Sequence, residues 1–146
     1  MRILVTGGCG FIGTHLVRTL VSNPNTQVVN IDALTYAANP KALDSCGKQK
    51  NYTFIHGSIN DQNLLQQVFQ EFKPEYILHL AAESHVDRSL QGAADFMQTN
   101  IMGTYILLES IRLYAPDSFC KMVHVSTDEV YGSLEKEDPS FTTYTP

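Results

Sequence analysis

Positive charge is scarce in this sequence: 10 lysines and arginines stand against 15 acidic residues, for a formal net charge of −5, and nothing gathers the basic ones into a stripe. That excludes the electrostatic footprint by which proteins hold a nucleic-acid backbone or an anionic membrane surface. Cysteine is scarce as well. Cys9, Cys46 and Cys120 are odd in number and widely spaced, with no two separated by two residues. Such a set fits neither a disulfide framework nor a zinc site, so the three are read as free thiols and no metal is expected. Long apolar runs are missing too. Ile3–Val5, the only apolar run at the amino terminus, is far too short for a signal-peptide core or a membrane span, and Gly7 follows at once. A cytoplasmic location is expected. No low-complexity tract and no repeat of solenoid period is present. What remains, 43% apolar and 17% charged over 146 residues, is the composition of an ordinary globular chain, sized for one domain.

Short apolar runs alternate with amphipathic stretches. Arg2–Val5, Gln27–Ile31, Tyr52–Ile55, Tyr76–Leu80 and Met122–Val125 are rich in β-branched or aromatic residues and largely apolar on both faces, as buried parallel strands are. Between them, helical spacing recurs three times: from Phe11 to Val21, from Leu64 to Phe72, and from Phe96 to Tyr114. Asn60 is placed to cap the second helix, Pro74 closes it, and Pro116 follows the third. Ala33–Asn51 reads as a loop with one short helix around Pro40–Asp44. Strand, helix, strand in repetition predicts a doubly wound, Rossmann-like α/β fold with a parallel sheet of about five strands.

The first strand runs into Thr6-Gly7-Gly8-Cys9-Gly10-Phe11-Ile12-Gly13, with glycines at 7, 10 and 13. Gly7 suits a tight turn, Gly10 lets backbone amides approach a pyrophosphate, and Gly13 lets helix and sheet pack closely. The same pattern also serves as a plain strand-to-helix turn, so context has to decide. Asp32 ends the second strand about twenty residues after Gly13, where a carboxylate takes the adenosine ribose hydroxyls and repels a 2′-phosphate. With no arginine in the following loop, NAD is favoured over NADP. Cys9, in the turn, has no histidine base near it in sequence and reads as a space-filling residue.

Glycines in G-x-x-G-x-x-G spacing resemble the extended short-chain dehydrogenase/reductase superfamily. Four further stretches narrow the resemblance: Asp32-Ala33-Leu34-Thr35-Tyr36-Ala37, Leu80-Ala81-Ala82-Glu83-Ser84-His85-Val86-Asp87-Arg88-Ser89, Thr99-Asn100-Ile101-Met102-Gly103-Thr104, and Ser126-Thr127-Asp128-Glu129-Val130-Tyr131-Gly132. Together they are similar to the nucleotide-sugar 4,6-dehydratases, those acting on dTDP-glucose above all, and the likeness runs through essentially the whole chain. The resemblance implies NAD as cofactor, a nucleotide sugar as substrate and a homodimer in which the third helix packs against a second subunit. It implies cofactor contacts from Gly7, Gly10, Phe11, Ile12, Gly13, Asp32, Ala33, Leu34, Thr35, Ser58, Ile59, Leu80, Ala81, Ala82, Ser84 and Thr99, and substrate contacts from Ser84 and Thr127. In that family the aspartate of the Thr-Asp-Glu triplet is the proton donor and the glutamate the proton acceptor, which maps to Asp128 and Glu129.

Neighbouring side chains point to opposite faces of a regular strand, so a joint role for Asp128 and Glu129 requires the backbone to leave strand geometry there. Taken without the other matches, both also read as solvated loop residues. His85, Asp87 and Arg88 fit either substrate contact or a hydrogen-bonded turn. Asn100 and Gly103 are poor helix residues, glycine costing about 1 kcal/mol against alanine, and a close approach of neighbouring backbone is the expected compensation. Two positions depart from the family: Ser58 stands where an aspartate is common, and Ala38 where glycine is usual.

The largest departure is an absence. The superfamily uses a tyrosine and a lysine four residues later, and none of Tyr105, Tyr114, Tyr131 and Tyr144 has that partner. The sequence therefore reads as a truncated cofactor domain, without the substrate domain and inactive alone. The alternatives are a non-catalytic NAD-binding or assembly module, and another UDP-sugar dehydratase or epimerase of the superfamily.

Overall fold

The computed structural model describes residues 1–85, 92–115 and 120–144. Five strands form one sheet: β1 (Arg2–Thr6), β2 (Gln27–Asp32), β3 (Tyr52–His56), β4 (Tyr76–His79) and β5 (Lys121–His124). Their order is β3-β2-β1-β4-β5 and every neighbouring pair is parallel. The chain winds outward from β1 in one direction, then returns to its other side at β4, which is the Rossmann-like arrangement expected from the sequence.

Alternation along β1 explains why its strands are apolar on both faces. Ile3 and Val5 join Val17, Val21, Val28, Leu43 and Cys46 in one core cluster, under α1 (Phe11–Val21). Leu4, between them, points the other way and joins Val29, Ile31, Leu65, Val68, Phe69, Ile77 and Leu107 under α2 (Gln62–Phe72) and α4 (Thr104–Tyr114). The inner strands β2, β1 and β4 are covered on both sides and need no polar face, whereas β3 and β5, expected from the sequence to be buried as well, lie at the two edges and are substantially exposed.

Three local readings change. The cap of α2 is Asp61, whose side chain accepts the Leu64 N–H at 3.0 Å, and not Asn60. Asn60 instead turns its carbonyl oxygen inward, against Gly103. The loop after β2 carries two short 3₁₀ segments, Pro40–Leu43 and Cys46–Lys48, and the second was not anticipated; Leu43 and Cys46 pin it to the core. The third helix is broken in character: α3 (Ala93–Phe96), a π-helical segment (Met97–Gly103), then α4. Gly103 shows why. A Cβ there would stand 2.6 Å from Ile59 Cδ1 and 3.2 Å from Asn60 Oδ1, so the close approach expected from the sequence is present.

Lys73 takes the left-handed conformation that ends α2 just before Pro74. Pro116 lies outside the described residues. Met97, Ile101, Tyr105 and Leu108 are exposed along one face of the third helical stretch, and β5 lies at the edge of the sheet. Among the described residues no helix is long and apolar enough to cross a membrane.

Candidate functional site

The crevice of an open α/β sheet forms at the carboxyl ends of the strands where the winding direction reverses, here between β1 and β4. The turn after β1 is built for close approach. Gly7 has a φ of 73°, and a Cβ on it would stand 2.6 Å from the Ala81 nitrogen, so only glycine lets the two loops touch. Gly13 sits directly against Gly7 and Gly8, which brings the first turn of α1 onto the glycine turn.

The amino terminus of α1 is left open toward this crevice. Its cap is Gly10, no side chain bonds to it, and no acidic residue occupies its first turn. Uncapped N–H groups and the helix dipole make such an end a ready anion site. Phe11 and Ile12 flank it, and Phe11 is 84% exposed.

Asp32 closes the other end. It is 8% exposed, and both carboxylate oxygens are engaged: one accepts the Cys9 N–H at 2.8 Å, the other the Leu34 N–H at 2.8 Å. Leu34 is held with a φ of 54° while its side chain packs on the core. Beside it, burial and then the Asp32 carboxylate push the Cys9 thiol up to about 11. Cys9, 1% exposed and held protonated, fills space in the turn, as the sequence suggests.

Gly7, Gly10, Asp32, Ala33, Thr35, Ser58, Ile59, Leu80, Ala81, Ala82 and Thr99 line one cleft of about 620 Å³, its open mouth included. The structure thereby gathers most of the residues singled out from the sequence. Phe11, Ile12 and Gly13 stand at the helix end, Leu34 packs on the core and does not line the cleft, and Ser84 is exposed beside it. Ser58 spends its hydroxyl on the Asn60 N–H at 3.2 Å. Ala38 fits without glycine, in a turn closed by its own N–H to the Thr35 carbonyl at 3.0 Å.

Beyond β5 the chain leaves strand geometry. Thr127 caps a 3₁₀ turn, Asp128–Tyr131, and its hydroxyl lies 3.1 Å from Glu129 Oε2 and 3.5 Å from Asp128 Oδ1. The three exposed side chains therefore share one side of a turn at the carboxyl end of the sheet. His85 makes an edge contact with Tyr36, ring centroids 6.4 Å apart; Asp87 and Arg88 lie outside the described residues.

Sequence reasoning missed several contributors. Asn30, fully buried in β2, accepts the Gly8 N–H at 3.1 Å and donates to the Tyr52 hydroxyl at 3.1 Å. A lone amide inside Val28-Val29-Asn30-Ile31 was the available signal. Asn100, read as a helix defect, clamps Glu83 from both sides, accepting its N–H and donating to its carbonyl, each at 2.8 Å. Glu83, Ala37 and Gly57 also line the cleft. His79, at the end of β4, is wholly buried between Thr6 and Thr104. Desolvation, then the neighbouring His124, lowers its pKa from the usual 6.5 to about 4.

Known proteins resemble this chain throughout its length. The dTDP-glucose 4,6-dehydratase of Haemophilus influenzae is 48% identical over 152 aligned residues, which take in 100% of this chain and 45% of the relative. dTDP-glucose 4,6-dehydratase 1 of Escherichia coli is 49% identical, over 94% of this chain and 40% of its own length. The crystal structure of the dTDP-glucose 4,6-dehydratase DesIV from Streptomyces venezuelae, solved with NAD bound, superposes with a TM-score of 0.88 at 42% identity, covering 100% of this chain and 45% of that one. UDP-glucose 4-epimerase from Thermotoga maritima superposes with a TM-score of 0.81 at 35% identity, covering 96% and 42%. The chain thus spans less than half the length of these relatives. Since the family profile described as GDP-mannose 4,6 dehydratase matches residues 4–146, the chain belongs to that dehydratase family.

Proposed function

We propose that residues 1–146 are the NAD-binding part of a cytoplasmic, homodimeric nucleotide-sugar 4,6-dehydratase that converts dTDP-glucose to dTDP-4-keto-6-deoxyglucose. One observation carries the reading. An acidic pair, Asp128 and Glu129, stands on a turn at the carboxyl end of β5, the strand next to the β1/β4 crevice that the glycine turn floors.

The crevice residues fit NAD. Gly7 and Gly13 let the glycine turn pack tightly against Ala81 and the first turn of α1, the uncapped end of α1 offers amides to a pyrophosphate, and Asp32 is assigned to the ribose hydroxyls, where its carboxylate disfavours a 2′-phosphate. When bound, NAD supplies the capacity to accept a hydride from the sugar and return it. The chain's own acid–base work lies in the water loss between. Asp128 is assigned the proton given to the departing carbon-6 hydroxyl, and Glu129 the proton taken from carbon 5. Thr127, hydrogen-bonded to Glu129, orients that carboxylate and contacts the sugar; Ser84 is assigned a second sugar contact. Positioned acids and bases of this kind contribute about a hundredfold to ten-thousandfold each.

Epimerases share the fold but eliminate no water, so an adjacent acid and base favour the dehydratase over them. The test is the full-length protein given dTDP-glucose deuterated at carbon 4. The expected product is the 4-keto-6-deoxy sugar with deuterium at carbon 6. A carbon-4 epimer, or no conversion, would overturn the assignment.

A further inference from the structure

Three groups that no catalytic role requires lie in a row behind the crevice floor. His79 is the last residue of β4, with none of its surface exposed. Its Nδ1 stands 2.6 Å from Thr6 Oγ1, at the end of β1, and its Nε2 stands 3.1 Å from Thr104 Oγ1, the first residue of α4 after the π-helical segment. The Thr6 hydroxyl oxygen also accepts the Ala81 N–H at 3.4 Å. Ala81 is the residue whose nitrogen lies against Gly7, so this N–H sits where the two loops of the crevice meet.

Counting protons orders the row. The Thr6 hydroxyl has one proton, and Nδ1 is the acceptor within its reach, at a distance typical of an O–H donor. Nδ1 is then bare and Nε2 carries the ring proton, which it donates to Thr104. The opposite tautomer would aim a second donor, Nδ1–H, at the Thr6 oxygen that already accepts the Ala81 N–H, and would turn the Thr6 proton away from its short contact with the ring.

We infer that His79 is a positioning residue: as the Nε2–H tautomer it couples the start of α4 through Thr6 to the Ala81 amide and so sets the spacing of the crevice floor. The ring also stacks on His124 of β5, centroids 4.9 Å apart at 28°, which ties the same imidazole to the strand that leads to Thr127. The helix after the π-helical segment, the glycine turn and the triplet strand thus meet at one side chain. The consequence for coenzyme affinity rests on the proposed NAD reading; the consequence for Ala81 does not.

Thr104→Val keeps shape and removes the acceptor of Nε2–H, at a residue that does not line the cleft. Thr104→Ser restores it. In the 146-residue chain without coenzyme, nitrogen NMR is expected to show Nδ1 bare and Nε2 protonated in His79. Ala81 amide exchange is expected to quicken roughly 5- to 100-fold in the valine variant and to recover in the serine variant, the range for one lost buried partner. NAD affinity should fall and recover with it. An Nδ1–H tautomer, or unchanged Ala81 exchange in a folded Thr104→Val chain, would overturn the inference. Absence of NAD binding by the unsubstituted chain would sink the coenzyme reading alone, because the tautomer and the Ala81 exchange are read without it.

Discussion

Asp32 and Cys9, far apart in sequence, are joined by a 2.8 Å hydrogen bond from the Cys9 amide to the carboxylate, while the second carboxylate oxygen takes the Leu34 amide. The aspartate thus has a structural task besides any contact with ribose: it ties the glycine turn to the loop that follows β2. Removing it should cost stability as well as selectivity. Asp32→Ala leaves two amides without acceptors, and a loss of about 1–3 kcal/mol per group truly buried is expected. Asp32→Asn should not rescue it fully, since one of the two amides would then face an NH₂ group. Chemical denaturation of the three proteins reads this directly, and unchanged midpoints would show that the tie carries no weight.

Gly103 sets two effects against each other. Alanine is the better helix former by about 1 kcal/mol. The new Cβ, however, would stand 2.6 Å from Ile59 Cδ1 and 2.7 Å from its Cγ1, so the whole buried side chain would have to shift. Overpacking of a filled core costs about 1–3 kcal/mol, so the clash wins and Gly103→Ala is expected to destabilise. Adding Ile59→Val should recover part of the loss. A stabilised Gly103→Ala chain would mean that the π-helical segment yields more easily than its packing implies.

These cases show what was legible beforehand. Alternation of apolar strands with amphipathic helices announced the sheet, because its inner strands are buried on both faces and need apolar residues; the exposure of β3 and β5 was hidden, since a strand's own sequence does not say that it lies at an edge. The glycines at 7 and 13 and the acid at 32 were legible because each has few substitutes: a Cβ at either glycine would strike backbone, and Asp32 takes two amides at once. Gly103 was legible as an anomaly, and a close approach of neighbouring structure is what glycine permits there. The partner, Ile59, was not, since contacts between distant segments leave no local trace. Asn30 and His79 were hidden for the same reason: polar residues inside apolar strands signal a buried hydrogen bond but not its partner. The cap was misplaced by one residue because Asn60 and Asp61 are equally good caps in isolation, and only packing against Gly103 decides between them.

Acid should weaken the fold through His79. Its pKa is about 4 in the folded chain against 6.5 for an ordinary histidine. Above the ordinary value both states are neutral and the group contributes nothing to the pH dependence. As pH falls from about 6.5 toward 4, the unfolded chain takes up a proton that the folded chain refuses, and stability declines. The gap between the two values limits the loss to roughly 3 kcal/mol. His79→Gln is expected to flatten the decline over that window, whatever its stability at neutral pH. Parallel curves for the two proteins would contradict the assignment.

Chemistry at the β5 turn has its own signature. In the full-length protein, Asp128→Asn or Glu129→Gln is expected to lower turnover about a hundredfold to ten-thousandfold, with much smaller change in the affinity for nucleotide sugar. Equal turnover in both variants would remove Asp128 and Glu129 from the mechanism.

The central claim is that the glycine turn, the open end of α1 and Asp32 together make a site for NAD. Calorimetric titration of the 146-residue chain with NAD and with NADP tests it most directly. The account expects saturable binding of NAD at the cleft, with NADP at least about tenfold weaker because its extra phosphate meets the Asp32 carboxylate. Equal affinity for the two cofactors, or no binding of NAD by the folded chain, would contradict it.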